Sequence, residues 1–202
     1  MSTDNSKNEV EHFNRWSRTY DKSWIQRFAL PVHQDMLDVA GNLVAAPQSI
    51  IDIGCGTGQL LIKASARWPS AYLVGVDPAI GMVEVARSQT RGATICIASA
   101  DSLPVADSSA DIVFSSLSFH HWADQTKGLR EIARVLRPAG CLCIADITMP
   151  DWIAKIIRRV KVKAPVEMAR LLTDAGLIVK LQRRSSTRFV LLTVGVKNSG
   201  RT

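Results

Sequence analysis

The segment Ile50-Ile51-Asp52-Ile53-Gly54-Cys55-Gly56-Thr57-Gly58 constrains the chain more than any other. It joins a short apolar run to a stretch with helical spacing, Gln59–Arg67, and its glycines recur at alternate positions. Such glycines let a strand turn sharply into a helix and let the backbone approach a ligand. The helix expected from near Thr57 aims free N–H groups at whatever lies over the loop. Loops of this kind belong to open, mostly parallel α/β sheets.

The remainder repeats the alternation. Apolar runs at Ile50–Ile53, Tyr72–Val76, Thr94–Ala98, Ile112–Phe114 and Cys141–Ala145 are separated by helical stretches, Gln59–Arg67, Met82–Gln89 and Gln125–Leu136. Continuous apolar strands between helices indicate a sheet covered on both faces. Pro138-Ala139-Gly140 stops the third of these helices. A helix is expected from Pro165 to Ala175, with Gly176 at its C-cap. Strands Leu177–Arg183 and Phe189–Val196 follow, joined by the turn Ser185-Ser186-Thr187 as an antiparallel pair. The first 45 residues read as helices. Phe13, Trp16, Tyr20 and Trp24 recur at 3–4 residue spacing, on one stripe that packs on the sheet or covers a ligand cleft. One domain, 1–202, is expected, with residues 1–45 a helical cover and 46–202 a Rossmann-like core.

Two acidic residues narrow the ligand. The spacing is G-x-G-x-G, whereas the dinucleotide fingerprint is G-x-G-x-x-G. Asp52 precedes the first glycine, where a carboxylate repels a pyrophosphate and suits an ammonium or sulfonium. Asp77 ends the second run, nineteen residues past Gly58, where a carboxylate can accept both hydroxyls of a ribose. The cofactor should therefore be a cationic nucleoside without phosphate.

Bulk properties exclude other classes. The 202 residues carry 47% hydrophobic and 21% charged side chains, an ordinary globular composition. No apolar run approaches the roughly 20 residues a membrane span needs, and Met1 to Val10 is too polar for a signal peptide, so a cytoplasmic protein is expected. Cys55, Cys96, Cys141 and Cys143 lack CxxC spacing and read as reduced thiols, with no metal site. The net charge of +7 is uneven: from Pro150 to Thr202 stand 12 Lys and Arg against 3 Asp and Glu. That basic third can be a solvated surface or a site for an anionic partner. Trp152–Val160 sets Trp152, Ile153, Ile156, Ile157 and Val160 on one face, which favours a helix packed on the core over one lying on an anionic membrane.

With these motifs the chain resembles the class I S-adenosylmethionine-dependent methyltransferases, particularly the small-molecule branch that includes ubiquinone and menaquinone biosynthesis enzymes. The resemblance runs from about Phe13 to Val196. It rests on Asp52–Gly58, Gly75-Val76-Asp77, Ala100-Asp101-Ser102-Leu103-Pro104 and Glu131–Gly140. It implies a seven-stranded sheet in the order 3-2-1-4-5-7-6 with helices on both faces. It also implies S-adenosylmethionine as cofactor. Asp52, Gly54, Cys55 and Gly56 would surround its methionine part, mainly through backbone, and Asp77 would hold its ribose. Pro78 and Met82 would pack near the adenine. Asp101 would accept the adenine amino group, and Ser102 would supply a backbone N–H. Ser115, Ser116 and Leu117 would line the methionine end, and Tyr20 matches a tyrosine that closes over the cofactor. Ala139 departs from the usual Pro-Gly-Gly turn. Only about 20 residues separate the fifth strand from the Pro165 helix, where relatives often carry a substrate lid.

Methyl transfer is an in-line displacement that depends mainly on alignment and exclusion of water. A general base helps only where the acceptor must lose a proton. His120 and His121 are the candidates, with His121 favoured by its match to the family. The reading is an enzyme methylating a small organic acceptor, with no nucleic-acid partner expected. The alternatives are a catalytically silent cofactor-binding partner, and below it a nucleic-acid methyltransferase. No Asn-Pro-Pro-Tyr-type motif follows the fourth strand to support the latter. A nicotinamide oxidoreductase ranks last.

Overall fold

The computed structural model describes residues 2–148 and 162–199; the amphipathic stretch Trp152–Val160 lies outside the described residues. Seven strands form one sheet: β1 (Ser49–Ile53), β2 (Tyr72–Asp77), β3 (Thr94–Ile97), β4 (Ala110–Ser116), β5 (Leu136–Ile147), β6 (Leu177–Arg184) and β7 (Val190–Lys197). Their order is β3-β2-β1-β4-β5-β7-β6. The neighbours β1–β2, β1–β4, β2–β3 and β4–β5 are parallel, while β7 runs antiparallel to both β5 and β6. This is the Rossmann-like topology that the alternating pattern and the resemblance imply.

The described helices are α1 (Ser2–Tyr20), α2 (Trp24–Leu43), α3 (Gln59–Arg67), α4 (Ile80–Gln89), α5 (Gln125–Val135) and α6 (Pro165–Asp174). Side chains alternate across each strand, so the apolar runs feed two cores. Ile50, Ile112, Phe114, Cys141 and Cys143 meet Met36, Leu37, Leu61 and Val83 from α2, α3 and α4. Ile51, Val113, Leu142 and Ile144 meet Leu129, Ile132, Met168 and Leu172 from α5 and α6. All four cysteines are free thiols, and Cys55, Cys141 and Cys143 are buried among apolar neighbours.

Two local features differ from the sequence expectation. The aromatic stripe is broken: α1 ends at Tyr20, and Trp24 opens a separate helix after a turn in which Ser23 N–H donates to Tyr20 O (2.9 Å). Asp21 lies at the break, with its carboxylate held against α3 and α4 as described below. The second difference is at the end of α5, which stops at Val135, three residues before Pro138. Leu136 is already extended and pairs with Ala110, and the register then shifts before Ile112. Ala139 lies within this irregular start at φ 65°, a left-handed value that L-residues other than glycine rarely adopt. α3 spans Gln59–Arg67 as expected, after Gly58 N–H donates back to Cys55 O (2.9 Å) and closes a turn.

Candidate active site

The parallel strands β1, β2, β4 and β5 end at one edge of the sheet, and loops leaving such ends line ligand crevices. Here they surround a cavity of about 570 Å³. Its floor is Ile53, Gly54 and Gly56 from the glycine loop, with Asp77, Pro78 and Met82 after β2. Ala98–Asp101 after β3 and Ser116–Ser118 after β4 form its walls, with His121 and Trp122 beyond them. Glu9, Phe13 and Tyr20 of α1 close the remaining side. The N-terminal helix therefore covers the cavity, and it packs on α4.

α1 is fixed there by polar contacts that the sequence pattern did not disclose. Asp21 accepts from Thr57 Oγ1 (2.5 Å), Gln89 Nε2 (2.8 Å) and Gln59 Nε2 (3.3 Å), tying the α1–α2 joint to the start of α3 and the end of α4. Asn14 Oδ1 accepts from Gly81 N–H (2.9 Å). The approach of α1 to α4 needs glycine at 81, since a Cβ there would come within 2.8 Å of Asn14 O and Ser17 Oγ. Tyr20 is thereby held over Gly56, and burial together with Asp77 raises its phenol pKa above the ordinary value.

The glycine loop differs from a phosphate cradle in one decisive respect. The N–H groups of Gly54 and Cys55 both donate to Val76 O (2.7 and 3.1 Å). Gly56 N–H donates to Asp77 Oδ2 (2.9 Å), and Gly58 N–H is spent on the turn. Four of the loop's own amides are thus already donated within the chain. Gly54 itself, at φ 70°, has no room for a side chain, because a Cβ would meet Ser118 Cβ at 2.5 Å.

Two carboxylates stand beside this loop. Asp77 lines the cavity. Its Oδ1 accepts from Ala79 N–H (2.9 Å) and its Oδ2 from Gly56, which leaves one lone pair on each oxygen for a ligand. Burial raises its pKa against the lowering effect of those two bonds. Asp52 lies behind the lining, 2% exposed, and its Oδ1 has no hydrogen-bond partner among the described residues. Burial, reinforced by Asp77, pushes its carboxyl up to about 8. A buried acceptor without a partner is costly, and a cation near the loop would relieve it.

Other expected residues divide between the lining and the interior. Tyr20, Gly54, Gly56, Asp77, Pro78, Met82, Asp101, Ser116, Leu117 and His121 line the cavity. Asp101 bonds to the Ser99 hydroxyl and to Lys127 Nζ (3.4 Å), both of which hold its pKa low. Leu117 adopts φ 52°, a strained backbone of the kind found at ligand sites. Outside the lining, the Cys55 side chain packs into the core and burial drives its thiol well up. Ser102 is exposed, and its N–H is already donated to Ser99 O (3.1 Å). Ser115 is fully buried, with its Oγ 2.9 Å from Ser118 Oγ.

The two histidines also separate. His120 turns away from the cavity. Its Nδ1 lies 2.6 Å from Asp146 Oδ1, and its N–H donates to Asp146 Oδ2 (2.7 Å). His121 faces the cavity, with Nδ1 3.4 Å from Glu9 Oε2. Burial, then electrostatic coupling to His120 and His12, lowers its pKa to about 3. Sequence reasoning missed Asp146, although an acidic residue ending an apolar run was the signal that identified Asp77.

The family described as "Methyltransferase domain" matches residues 51–144. A malonyl-[acyl-carrier protein] O-methyltransferase of Dechloromonas aromatica is 34% identical over 142 residues, 68% of this chain and 49% of that protein. The demethylmenaquinone methyltransferase of Thermus thermophilus is 37% identical over 112 residues, 54% of this chain and 51% of its own length. The chain thus spans about half the length of these curated relatives. Among solved structures, a chain of the Haloferax volcanii complex between the Trm112 methyltransferase activator and a methyltransferase superposes with a TM-score of 0.78 at 23% identity, covering 95% of this chain and 98% of its own. Glycine loop, strand-end carboxylate, sheet order and sequence matches agree: the chain carries a methyltransferase domain on the fold of the class I methyltransferases.

Proposed function

We propose that the chain is an S-adenosylmethionine-dependent methyltransferase that methylates a small organic acceptor. The observation that carries this reading is the charge of the cavity. Glu9, Glu11, Asp77, Asp101 and Asp124 line it, and no Lys or Arg does so among the described residues. A dinucleotide's pyrophosphate would meet carboxylates and already-donated amides, whereas a sulfonium nucleoside suits both.

The residues fit that cofactor. Asp77 would accept the ribose hydroxyls on its remaining lone pairs. Asp52, behind the lining, would act on the ammonium end through its charge. Asp101 would accept from the adenine amino group, and Pro78 and Met82 would pack against the ring. The cofactor supplies an electrophilic methyl carbon on positive sulfur. The chain's own contribution is alignment, through the fixed loop and Leu117, and exclusion of water by Tyr20 and Phe13.

Titration calorimetry with S-adenosylmethionine tests the reading. Micromolar binding is expected, and Asp77→Ala should weaken it at least tenfold, as loss of charge-assisted bonds implies. Binding of NAD in preference would defeat the assignment.

A further inference from the structure

The turn between β6 and β7, residues 185–189, gathers charge and apolar surface outside the cofactor site. It is closed by Ser185 N–H to Val190 O (2.9 Å) and by Val190 N–H to Thr187 O (3.1 Å). Asp35 of α2 holds it from behind, accepting from Ser186 N–H (2.6 Å). Phe189 ends the turn and is 67% exposed. Arg184 precedes it and Arg188 lies within it, both exposed. We infer that this turn is a contact point for an anionic phospholipid surface. Phe189 enters the headgroup boundary there, and Arg184 and Arg188 meet the phosphates.

The charges at the turn are poorly offset. Among the described residues, Arg183 with Asp35 (3.5 Å) is the one ion pair it makes. Arg184 Nη1 instead donates to Arg188 O, which folds the first arginine over the turn towards the second. Like charges gathered without a counter-charge repel each other, and an anionic partner relieves them. The exposed phenyl ring asks for a different environment, an apolar one. A bilayer interface offers phosphates and acyl chains side by side, so it satisfies both. A free anion would leave the ring in water. A nucleic-acid strand calls for a groove with several stacking platforms, whereas a tight turn presents a single point.

The turn also stands beside the site. β7 runs antiparallel to β5 with Val190 opposite Ile147, and Thr148 N–H donates to Phe189 O (2.8 Å). The turn is therefore at the sheet edge that carries the cavity, two strands from β4, or about 10 Å at the usual spacing. Asp146, the residue before Ile147, accepts from His120 N–H (2.7 Å). His121 and Trp122, next in the chain, line the cavity. A surface that holds the turn thus holds this edge of the sheet against it.

Co-sedimentation of the whole chain with vesicles tests the proposal. Binding is expected to vesicles of phosphatidylglycerol and phosphatidylcholine in equal parts, and not to phosphatidylcholine alone. Phe189→Ser should weaken it about tenfold, as partial burial of the ring implies, and Arg188→Gln about fivefold. Both side chains are exposed, so melting temperature and S-adenosylmethionine affinity should not change. Arg91, exposed between α4 and β3 at the opposite sheet edge, is the control: Arg91→Gln removes the same charge and should leave binding intact. Absence of binding to the anionic vesicles overturns the proposal. So does undiminished binding by Phe189→Ser, equal binding to phosphatidylcholine alone, or an equal loss in Arg91→Gln. Displacement from the vesicles by inorganic phosphate or by a single-stranded oligonucleotide, at matched ionic strength, overturns it as well. Failure of cofactor binding is a separate result that bears on the methyltransferase reading alone.

Discussion

At the scale of single residues, Asp52 carries the sharpest conflict between stability and binding. Its buried carboxyl holds a proton up to about pH 8, whereas the unfolded chain releases that proton near pH 4. The native state therefore binds more protons across this window, and stability falls as pH rises through it. Asp52→Asn should flatten the decline between pH 5 and 8.5 in the ligand-free protein, as read by thermal melting, while weakening S-adenosylmethionine binding. Because a cation favours the ionised form, cofactor binding at pH 7 should release a proton. Calorimetric enthalpies that vary with the buffer's ionisation enthalpy would register it. Ala139 is a simpler case. Its φ of 65° suits glycine, so Ala139→Gly should stabilise by about 0.5–1 kcal/mol, since relief of strain outweighs the added chain entropy. Chemical denaturation would show a higher midpoint at constant slope.

Among the elements, α1 reaches the site from outside the sheet. Its hold rests on Asp21, Asn14 and the missing side chain at Gly81. Asp21→Ala should weaken cofactor binding about tenfold, equivalent to one or two charge-assisted bonds. Hydrogen exchange should then quicken in α1 and leave the β1, β4 and β5 amides unaltered, because local opening need not involve the core. Uniform acceleration throughout would show instead that Asp21 supports the whole fold. This element also marks a limit of legibility. The apolar periods revealed the strands and most helices, because burial on two faces writes itself into continuous runs. The break between α1 and α2 is written nowhere locally: Asp21, which lies at it, is held by Thr57, Gln59 and Gln89, 36 to 68 residues away. His120 and His121, neighbours in a loop, were told apart only by the resemblance. Asp146, 26 residues on, separates them.

For the molecule as a whole, the charge distribution is opposed to itself. The chain carries +7 overall, yet the cavity presents carboxylates. Net charge sets solubility and encounter, whereas the local lining decides what stays. A ligand that binds only the native state stabilises it by about 2.7 kcal/mol at a hundred times Kd, which is about 5–10 °C in a domain of this size. S-adenosylmethionine at that excess should produce such a shift, and NAD at the same concentration none. The site was legible in the sequence where strand ends carry their own signals, as at Asp77 and the glycines. It was hidden where backbone amides are consumed by partners across the sheet, as Gly54 and Cys55 are by Val76.

Ser118 occupies the space that a side chain at Gly54 would fill. Its hydroxyl donates to Ile53 O (2.9 Å) and lies 3.4 Å from Trp122 Nε1. The two halves of the cavity are therefore one mechanical part rather than adjoining ones. Any displacement of the loop by the first ligand is passed to the walls awaiting the second, and thermodynamic reciprocity requires the second to repay the first by an equal factor. Enlarging residue 118 would thus be felt at both ends of the reaction at once.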